Sequence, residues 1–585
     1  MKIKKVLLAG ILIPLLLCVS AYAGVAKISI DEAQRIEFGN GENLHFNKQK
    51  TLDISIDDYL EESPGIQVGT TSYEYQSNGS TGNRIYKHEC GTHMAWMNGV
   101  GQWIGNRWIY YNFIDPDGNL SWQEGTPVSV EQGAGYCHLD VTEDGRPAIV
   151  YHNSSNSLVR LSVDESCGAG NFTLYDPPDS LPGESGFFWS YLTVDNTDRI
   201  HIISTENEPE AGALKKVTHT YSSDGGSSWG DLVIYDTLMD ISSIITSSRI
   251  SGKVAIVYTD PIDYEDPNQY NNDIAYIESP DGVTWDYDSP VNVTNYQYED
   301  TIRAYTDVDA IYDFDDNLHI VWNAPGYWAD EGTITIDACF LFHWSEETGT
   351  TMIYNAWHPS FPGKWCRSAA KMSISVDSLN NLYVLWTHFD SVDVSSGGWS
   401  NGELYASASS DGGASWIPPV NLTNTPTPGC QPGDCNNDHW SSLTEVSDDS
   451  MYIIYPEDKD AGSVTGAEGT ETENPVRYLA VSTSELLPVG VDEEIDVPTG
   501  FALNQNYPNP FNASTNISFT LAENGHTRLE VYNLLGEKVE TLIDEYLNAG
   551  EYGVNWEAGG NSTGVYFYRL KTEGVSKTRR MVLLK

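Results

Sequence analysis

SSDGGSSW, residues 222–229, packs serines, an Asp, paired glycines and a bulky aromatic into eight positions. The same order returns as SSDGGASW at 409–416 and, shortened, as SPDGVTW at 279–285. Looser copies, DPDGNLSW at 115–122 and SEETGTTM at 345–352, keep the eight-residue register. Recurrence of this kind marks a repeat architecture. Asp accepts hydrogen bonds from the amides of its own turn, and Gly takes a positive φ that a Cβ would penalise. In the two full copies Ser222, Asp224, Gly226 and Trp229 correspond to Ser409, Asp411, Gly413 and Trp416. Asp281 with Trp285, and Asp117 with Trp122, are the equivalents in the weaker copies. All of these read as staples of the fold, with the Trp wedged into a sheet.

A second repeat runs in step with the first. LDVTEDGRPAIVYH (139–152), LTVDNTDRIHIIST (192–205), AIYDFDDNLHIVWN (310–323), ISVDSLNNLYVLWT (374–387) and TEVSDDSMYIIYP (444–456) each join two apolar strands through an Asp/Asn/Gly turn. RIYKHECGTHMAWMN (84–98) and SSRISGKVAIVYT (247–259) are looser members. These are β-hairpins. A third strand, the marked turn and a short fourth strand follow, so each unit is a four-stranded antiparallel sheet repeated along the chain. Radial repetition of such sheets is a β-propeller. Seven hairpins predict seven blades, with six as the alternative if a terminal unit is no true blade. The last unit has no fourth strand of its own, and IQVGTTSYEYQ (66–76) is placed to supply it and close the ring, since an open ring leaves an unpaired edge.

The Ser-x-Asp-x-Gly-x-Ser/Thr-Trp pattern resembles the Asp-box, or BNR repeat, of the sialidase superfamily. That resemblance implies a propeller whose boxes lie away from the substrate face. It also implies an arginine triad for a carboxylate, a Tyr nucleophile paired with Glu, an Asp acid/base and an early Arg-Ile-Pro. No Arg-Ile-Pro is present; RIEF (35–38) and RPA (146–148) are the nearest strings. Arg303 and Arg367 stand before first strands, without a third equivalent.

Both ends carry a different message. MKIKKVLLAGILIPLLLCVSAYAG has a Lys-rich start, a short apolar run and Ala-Tyr-Ala before Gly24, the pattern of a secretory signal peptide over 1–23. Residues 24–64 show few fold signals, 65–487 form the propeller and 488–500 are a charged linker. Residues 501–585 alternate as short strands of a small immunoglobulin-like β-sandwich. YPNPFN (507–512), VYNLLGEKV (531–539) and GVYFYRL (564–570) resemble the type A C-terminal sorting domain of type IX secretion. The resemblance implies the type IX machinery as partner, and a protein secreted or held at the cell surface.

The formal net charge is −52, and residues 24–500 hold 20 basic against 74 acidic residues. Such a field excludes nucleic acid and anionic membranes as partners. No stretch after the leader suits a membrane span. Seven cysteines follow residue 23, in no familiar zinc spacing. Cys430 and Cys435 flank a turn and suit a local disulfide in an exported protein; the other pairings are unreadable. Acid-rich stretches at 260–266 and 457–460 offer oxygens of the kind Ca²⁺ takes, but without EF-hand spacing, so no metal or cofactor is expected.

Propeller ligands meet the loops that lead into first strands and leave second strands. There the chain places Trp189, Trp365, His388 and Trp440 as candidate ligand contacts, and Glu206, Asp260 and Asp390 beside Arg303 and Arg367 as weak catalytic candidates. Rings for stacking and acids for hydrogen bonding are what sugar recognition requires. The expectation is an exported sialidase-like propeller that binds carbohydrate or another extracellular ligand without catalysis; the alternative is an exo-acting glycoside hydrolase with non-standard catalytic residues.

Overall fold

The computed structural model describes residues 27–29, most of 60–487 and most of 502–584. The signal peptide, most of the 24–64 extension and the 488–500 linker lie outside the described residues. The chain divides into two compact units, 1–488 and 489–585. The described residues are almost entirely β-structure, with one short 3₁₀ turn at Thr483–Glu485.

The described residues of the first unit form seven antiparallel sheets, six built round a meander of consecutive strands and the seventh combining the last strands with one from the start. Sheet 1 is Ile85–His88, Gly91–Gly99, Arg107–Ile114 and Thr126–Pro127. Sheet 2 is Ala134–Val141, Pro147–Asn153, Leu158–Asp164 and Phe172–Tyr175. Sheet 3 is Phe187–Val194, Ile200–Glu206, Lys215–Ser222 and Val233–Leu238. Sheet 4 is Ser243–Ser247, Val254–Pro261, Asn272–Ser279 and Val291–Asn292. Sheet 5 is Val308–Tyr312, Leu318–Trp328, Thr333–Ser345 and Gly349–Ala356; Lys27–Ser29 joins it, with Lys27 opposite Thr335. Sheet 6 is Ala369–Val376, Leu382–Val394, Ser400–Ser409 and Val420–Asn421. Sheet 7 takes Asn437–Asp438, Ser442–Leu443, Ser450–Asp458 and Asn474–Ser482 from the end of the unit and Ile66–Thr71 from its start.

The first strands of sheets 1 to 6 pack side by side in order, the sixth against Ser442–Leu443 of sheet 7, and Ser450–Asp458 packs back on sheet 1. The result is a propeller-like ring. The apolar run of every second strand makes this arrangement obligatory. Val254–Tyr258 and Leu382–Trp386 are buried on both faces, so each sheet needs a neighbour on either side. Ile66–Thr71 pairs antiparallel with Asn474–Ser482 and covers the edge that the last sheet would otherwise expose.

The marked turns join third to fourth strands. Gly226 N–H donates to Ser222 Oγ at 2.9 Å, Ser228 N–H and Oγ donate to Asp224, and Trp229 Nε1 donates to the Gly226 carbonyl at 3.1 Å. Ser409, Asp411, Gly413 and Ser415 repeat the set. Trp229 and Trp416 pack into the seams with the preceding sheets. Asp281 accepts from Val283 N–H, Thr284 N–H and Thr284 Oγ1, and Trp285 donates to the Gly282 carbonyl. The 115–122 copy differs. There Asp115 stands in the place of Ser222 and accepts the amides of Asp117 and Asn119, as Ser222 accepts those of Asp224 and Gly226, and the Asn119 side-chain amide also donates to it.

Cys430 and Cys435 form a disulfide. A second one joins Cys90, in the first turn of sheet 1, to Cys167, in the last turn of sheet 2.

In the second unit, Ala502–Leu503, Ser514–Leu521 and Gly550–Glu557 form one sheet; Lys538–Leu547, Gly525–Tyr532, Gly564–Thr572 and Val575–Leu583 form the other. Ile517 and Trp556 from the first and Leu529 and Tyr568 from the second share one core. Among the described residues no helix is long and apolar enough to cross a membrane.

Candidate functional site

The centre of the ring is occupied at the end where first strands begin. The described residues of the segment 73–84, between Ile66–Thr71 and sheet 1, are almost all buried. Gln76 bonds both ways with Met97 of sheet 1. Ser80 O accepts from Tyr191 Oη of sheet 3 at 3.0 Å, and Asn83 O accepts from Leu139 N–H of sheet 2 at 2.7 Å. Gly82 O and Arg84 N–H both meet Ser442 Oγ of sheet 7. A Cβ on Gly79 would sit 2.8 Å from the Ile241 carbonyl, and one on Gly82 would overlap the His138 ring at 1.7 Å. This strap occupies the centre of the ring at that end.

The cleft among sheets 1, 2 and 3 gathers the richest set of groups. Arg107 starts the third strand of sheet 1, is 2% exposed, and lies 5.0 Å from the Tyr73 ring and 5.4 Å from the Tyr136 ring. Tyr136 sits in a register break of the first strand of sheet 2 with φ +50, a backbone state rare for an aromatic residue. Its ring meets Trp189 at 5.4 Å and His152 at 5.4 Å. Tyr136 and Trp189 are half-buried and reach the surface, whereas His152 is enclosed. Burial and the nearby Arg107 hold His152 well below the usual histidine range, so it is neutral. Two half-buried rings, Tyr136 and Trp189, therefore meet here, with the buried Arg107 guanidinium against the Tyr136 ring alone of the two. Lys371 (φ +56) and Trp440 (φ +51) take the same strained backbone at the start of other first strands. Lys371 is 1% exposed and paired with Asp307 at 2.7 Å.

A second cleft lies between sheets 3 and 4. The half-exposed Tyr264 donates its hydroxyl to Asp260 and also lies 3.4 Å from Asp236, so one phenol oxygen touches both carboxylates. Burial pushes Asp260 up to about 6, the Tyr264 hydrogen bond opposes this, and Asp236 beside it adds to the rise. Burial, reinforced by Asp236, also raises the Tyr258 phenol.

The remaining candidates are dispersed. Arg303 donates to Asn271 and to the carbonyls of Gln297, Asp300 and Ile302, so its guanidinium ties its own loop together. Arg367 is 1% exposed, 4.2 Å from the Tyr305 ring and 5.3 Å from that of Tyr270. Neither arginine is presented as a carboxylate fork. Glu206 is buried and accepts from Lys216 N–H. Asp390 accepts from the amides of Val392 and Asp393. His388 meets the Tyr405 ring at 4.5 Å and the His358 ring at 5.0 Å, both tilted; burial and His358 bring it down to about 4. Trp365 is half-buried with φ +66. Trp440 is buried against Tyr75 of the strap at 4.7 Å, so it packs the interior and offers no ligand face. Arg107, Tyr136 and His152 were not nominated by the sequence, since nothing in single strands distinguishes them from core residues.

Residues 505–584 match the family described as the secretion system C-terminal sorting domain. The tail is a sorting domain. It implies export to the cell surface or release. No curated protein matches the chain in sequence. Among solved structures, the polysaccharide lyase Uly1 is 12% identical, covering 74% of this chain and 94% of its own, with a TM-score of 0.42. The GH93 α-L-arabinofuranosidase of Fusarium graminearum is 10% identical, covering 60% and 94%, at 0.36. The intramolecular trans-sialidase of Ruminococcus gnavus is 11% identical, covering 73% and 98%, at 0.33. Similarity of this degree assigns no chemistry to the residues above.

Proposed function

We propose that the protein is an exported seven-bladed Asp-box propeller that binds carbohydrate, carried out of the cell by a type IX sorting domain of immunoglobulin-like form at 501–585, after removal of a signal peptide at 1–23. The observation that carries this reading is the half-buried Tyr136–Trp189 pair, with the Arg107 guanidinium against the Tyr136 ring. Sugar rings stack on exposed aromatic faces, and a buried cation against one of them favours an acidic sugar. Backbone strain at Tyr136 is spent on aiming a ring at the mouth of the cleft. The test is titration calorimetry of the mature chain against neutral and uronate-containing oligosaccharides. Trp189→Ala is expected to weaken binding about tenfold or more, and Arg107→Gln to weaken acidic ligands selectively. Unchanged affinity in both variants overturns the reading.

A second reading, glycoside hydrolysis, is favoured by Asp236 and Asp260 alone. Two carboxylates spanned by one phenol are near the ~5 Å separation of retaining enzymes, and the raised Asp260 suits a general acid. Release of chromogenic aglycone, abolished by both Asp260→Asn and Asp236→Asn, selects this reading; no turnover on any glycoside removes it.

A further inference from the structure

We propose that Cys90, Cys167 and His93, completed by His88, form a zinc-class metal site joining sheets 1 and 2. The three first-named donor atoms lie within 4.8 Å of one another. His93 Nε2 stands 3.8 Å from Cys90 Sγ and 3.7 Å from Cys167 Sγ; His88 Nδ1 is 3.0 Å from Cys90 Sγ and accepts the Cys90 N–H at 3.2 Å, a bond it gives up on turning in as the fourth donor. A tetrahedral cation with bonds of ~2.3 Å to sulfur and ~2.0 Å to nitrogen needs S···N separations near 3.5 Å, so His93 is already in place.

His93 is fully buried, and its other ring nitrogen, Nδ1, is held at 2.7 Å by the Tyr111 hydroxyl. That contact fixes the ring so that Nε2 faces the sulfurs, the outer-shell arrangement that metal-binding histidines use. Phe113 closes the far side, its ring 4.9 Å from that of His93. The space is tailored, because a Cβ on Gly145 would lie 2.6 Å from Cys90 Sγ. A disulfide needs no imidazole. The other disulfide, Cys430–Cys435, provides the contrast, since the side-chain contact of its sulfur is the Asn401 amide.

Loading begins from the dithiol. Two thiols and two neutral imidazoles bind one divalent cation and release two protons, with no electron transferred. The disulfide is the alternative state of the same sulfurs; it returns to the dithiol only when an added dithiol supplies two electrons and two protons, itself becoming a disulfide. Metal and disulfide therefore exclude each other at this place.

The test uses the full chain, treated with dithiothreitol, exchanged into thiol-free anaerobic buffer and titrated with Co²⁺ and then Zn²⁺. One equivalent of Co²⁺ is expected to give thiolate-to-metal charge-transfer absorption with tetrahedral d–d bands, bleached by Zn²⁺. Cys430→Ser/Cys435→Ser is expected to keep the spectrum. Tyr111→Phe, which leaves all four donors in place, is expected to raise the Co²⁺ dissociation constant about 10–100-fold. His93→Ala is expected to abolish the tetrahedral bands. Absence of thiolate absorption from the reduced, folded chain overturns the proposal, as does its persistence in Cys90→Ser/Cys167→Ser.

Discussion

Gly412 and Gly413 stand next to each other and carry different loads. Both have positive φ, +68 and +88. A Cβ on Gly412 meets nothing within 4 Å, while one on Gly413 would lie 2.0 Å from the His343 ring. Gly412→Ala is therefore expected to cost about 1 kcal/mol, the backbone penalty alone. Gly413→Ala is expected to cost a further 1–3 kcal/mol, roughly the price of overpacking. Urea unfolding of the mature chain measures both, and equal costs contradict the wedge. Asp224→Ala removes the acceptor of Ser222 Oγ, Ser228 N–H and Ser228 Oγ at an exposed turn, and is expected to lower the urea midpoint by less than Gly413→Ala does. The hydrogen-bonded turn positions were legible in the sequence because Ser222, Asp224, Gly226 and Ser228 lie within a few residues of one another; the contact of Gly413 with His343 of the preceding sheet was not.

At the scale of the element, the strand Ile66–Thr71 matters most. Val68 is fully buried in one cluster with Trp96, Ile454 and Val476, and thereby joins sheets 1 and 7. Val68→Asp places an unpaired charge there and is expected to cost at least about 3 kcal/mol. Its signature should be local. Amide exchange is expected to accelerate across Asn474–Ser482 before it does in sheets 3 and 4, and the exposed edge is expected to promote self-association. Uniform acceleration over all seven sheets would show that closure is not what this strand supplies. The closing role was readable beforehand from the missing fourth strand of the last repeat. The strap at 73–84 was not, because a polar sequence such as QSNGSTG looks like a surface loop unless the place it occupies is known.

For the whole molecule, the acid excess has a consequence inside as well as outside. Burial pushes Glu403 up to about 8, with Asp438 beside it adding to the rise; burial likewise pushes Asp438 up to about 7. A carboxyl raised in the folded state keeps its proton where the unfolded chain has lost it. The folded form then binds more protons between about pH 4.5 and 8, so stability falls as pH rises through that window. Glu403→Gln removes this contribution. The variant is expected to gain on the wild type by roughly 1–3 kcal/mol between pH 5 and pH 8, read as a widening difference in Tm. A difference independent of pH contradicts the assignment.

What the sequence determined by itself is the local grammar: the hairpins, the side-chain-locked bends, the fourth strand borrowed from the start, the Cys430–Cys435 pair and the character of the tail. Each depends on contacts between near neighbours or on a pattern repeated often enough to count. The tertiary structure decided which repeats meet. It brought Arg107, Tyr136, His152 and Trp189 to one cleft, Asp236, Tyr264 and Asp260 to another, and Cys90, His93 and Cys167 to a third place. It also placed the polar strap 73–84 at the centre of the ring, at the end where first strands begin. The physical reason is that proximity across sheets, burial and the resulting loss of water are properties of packing, and no single strand carries them.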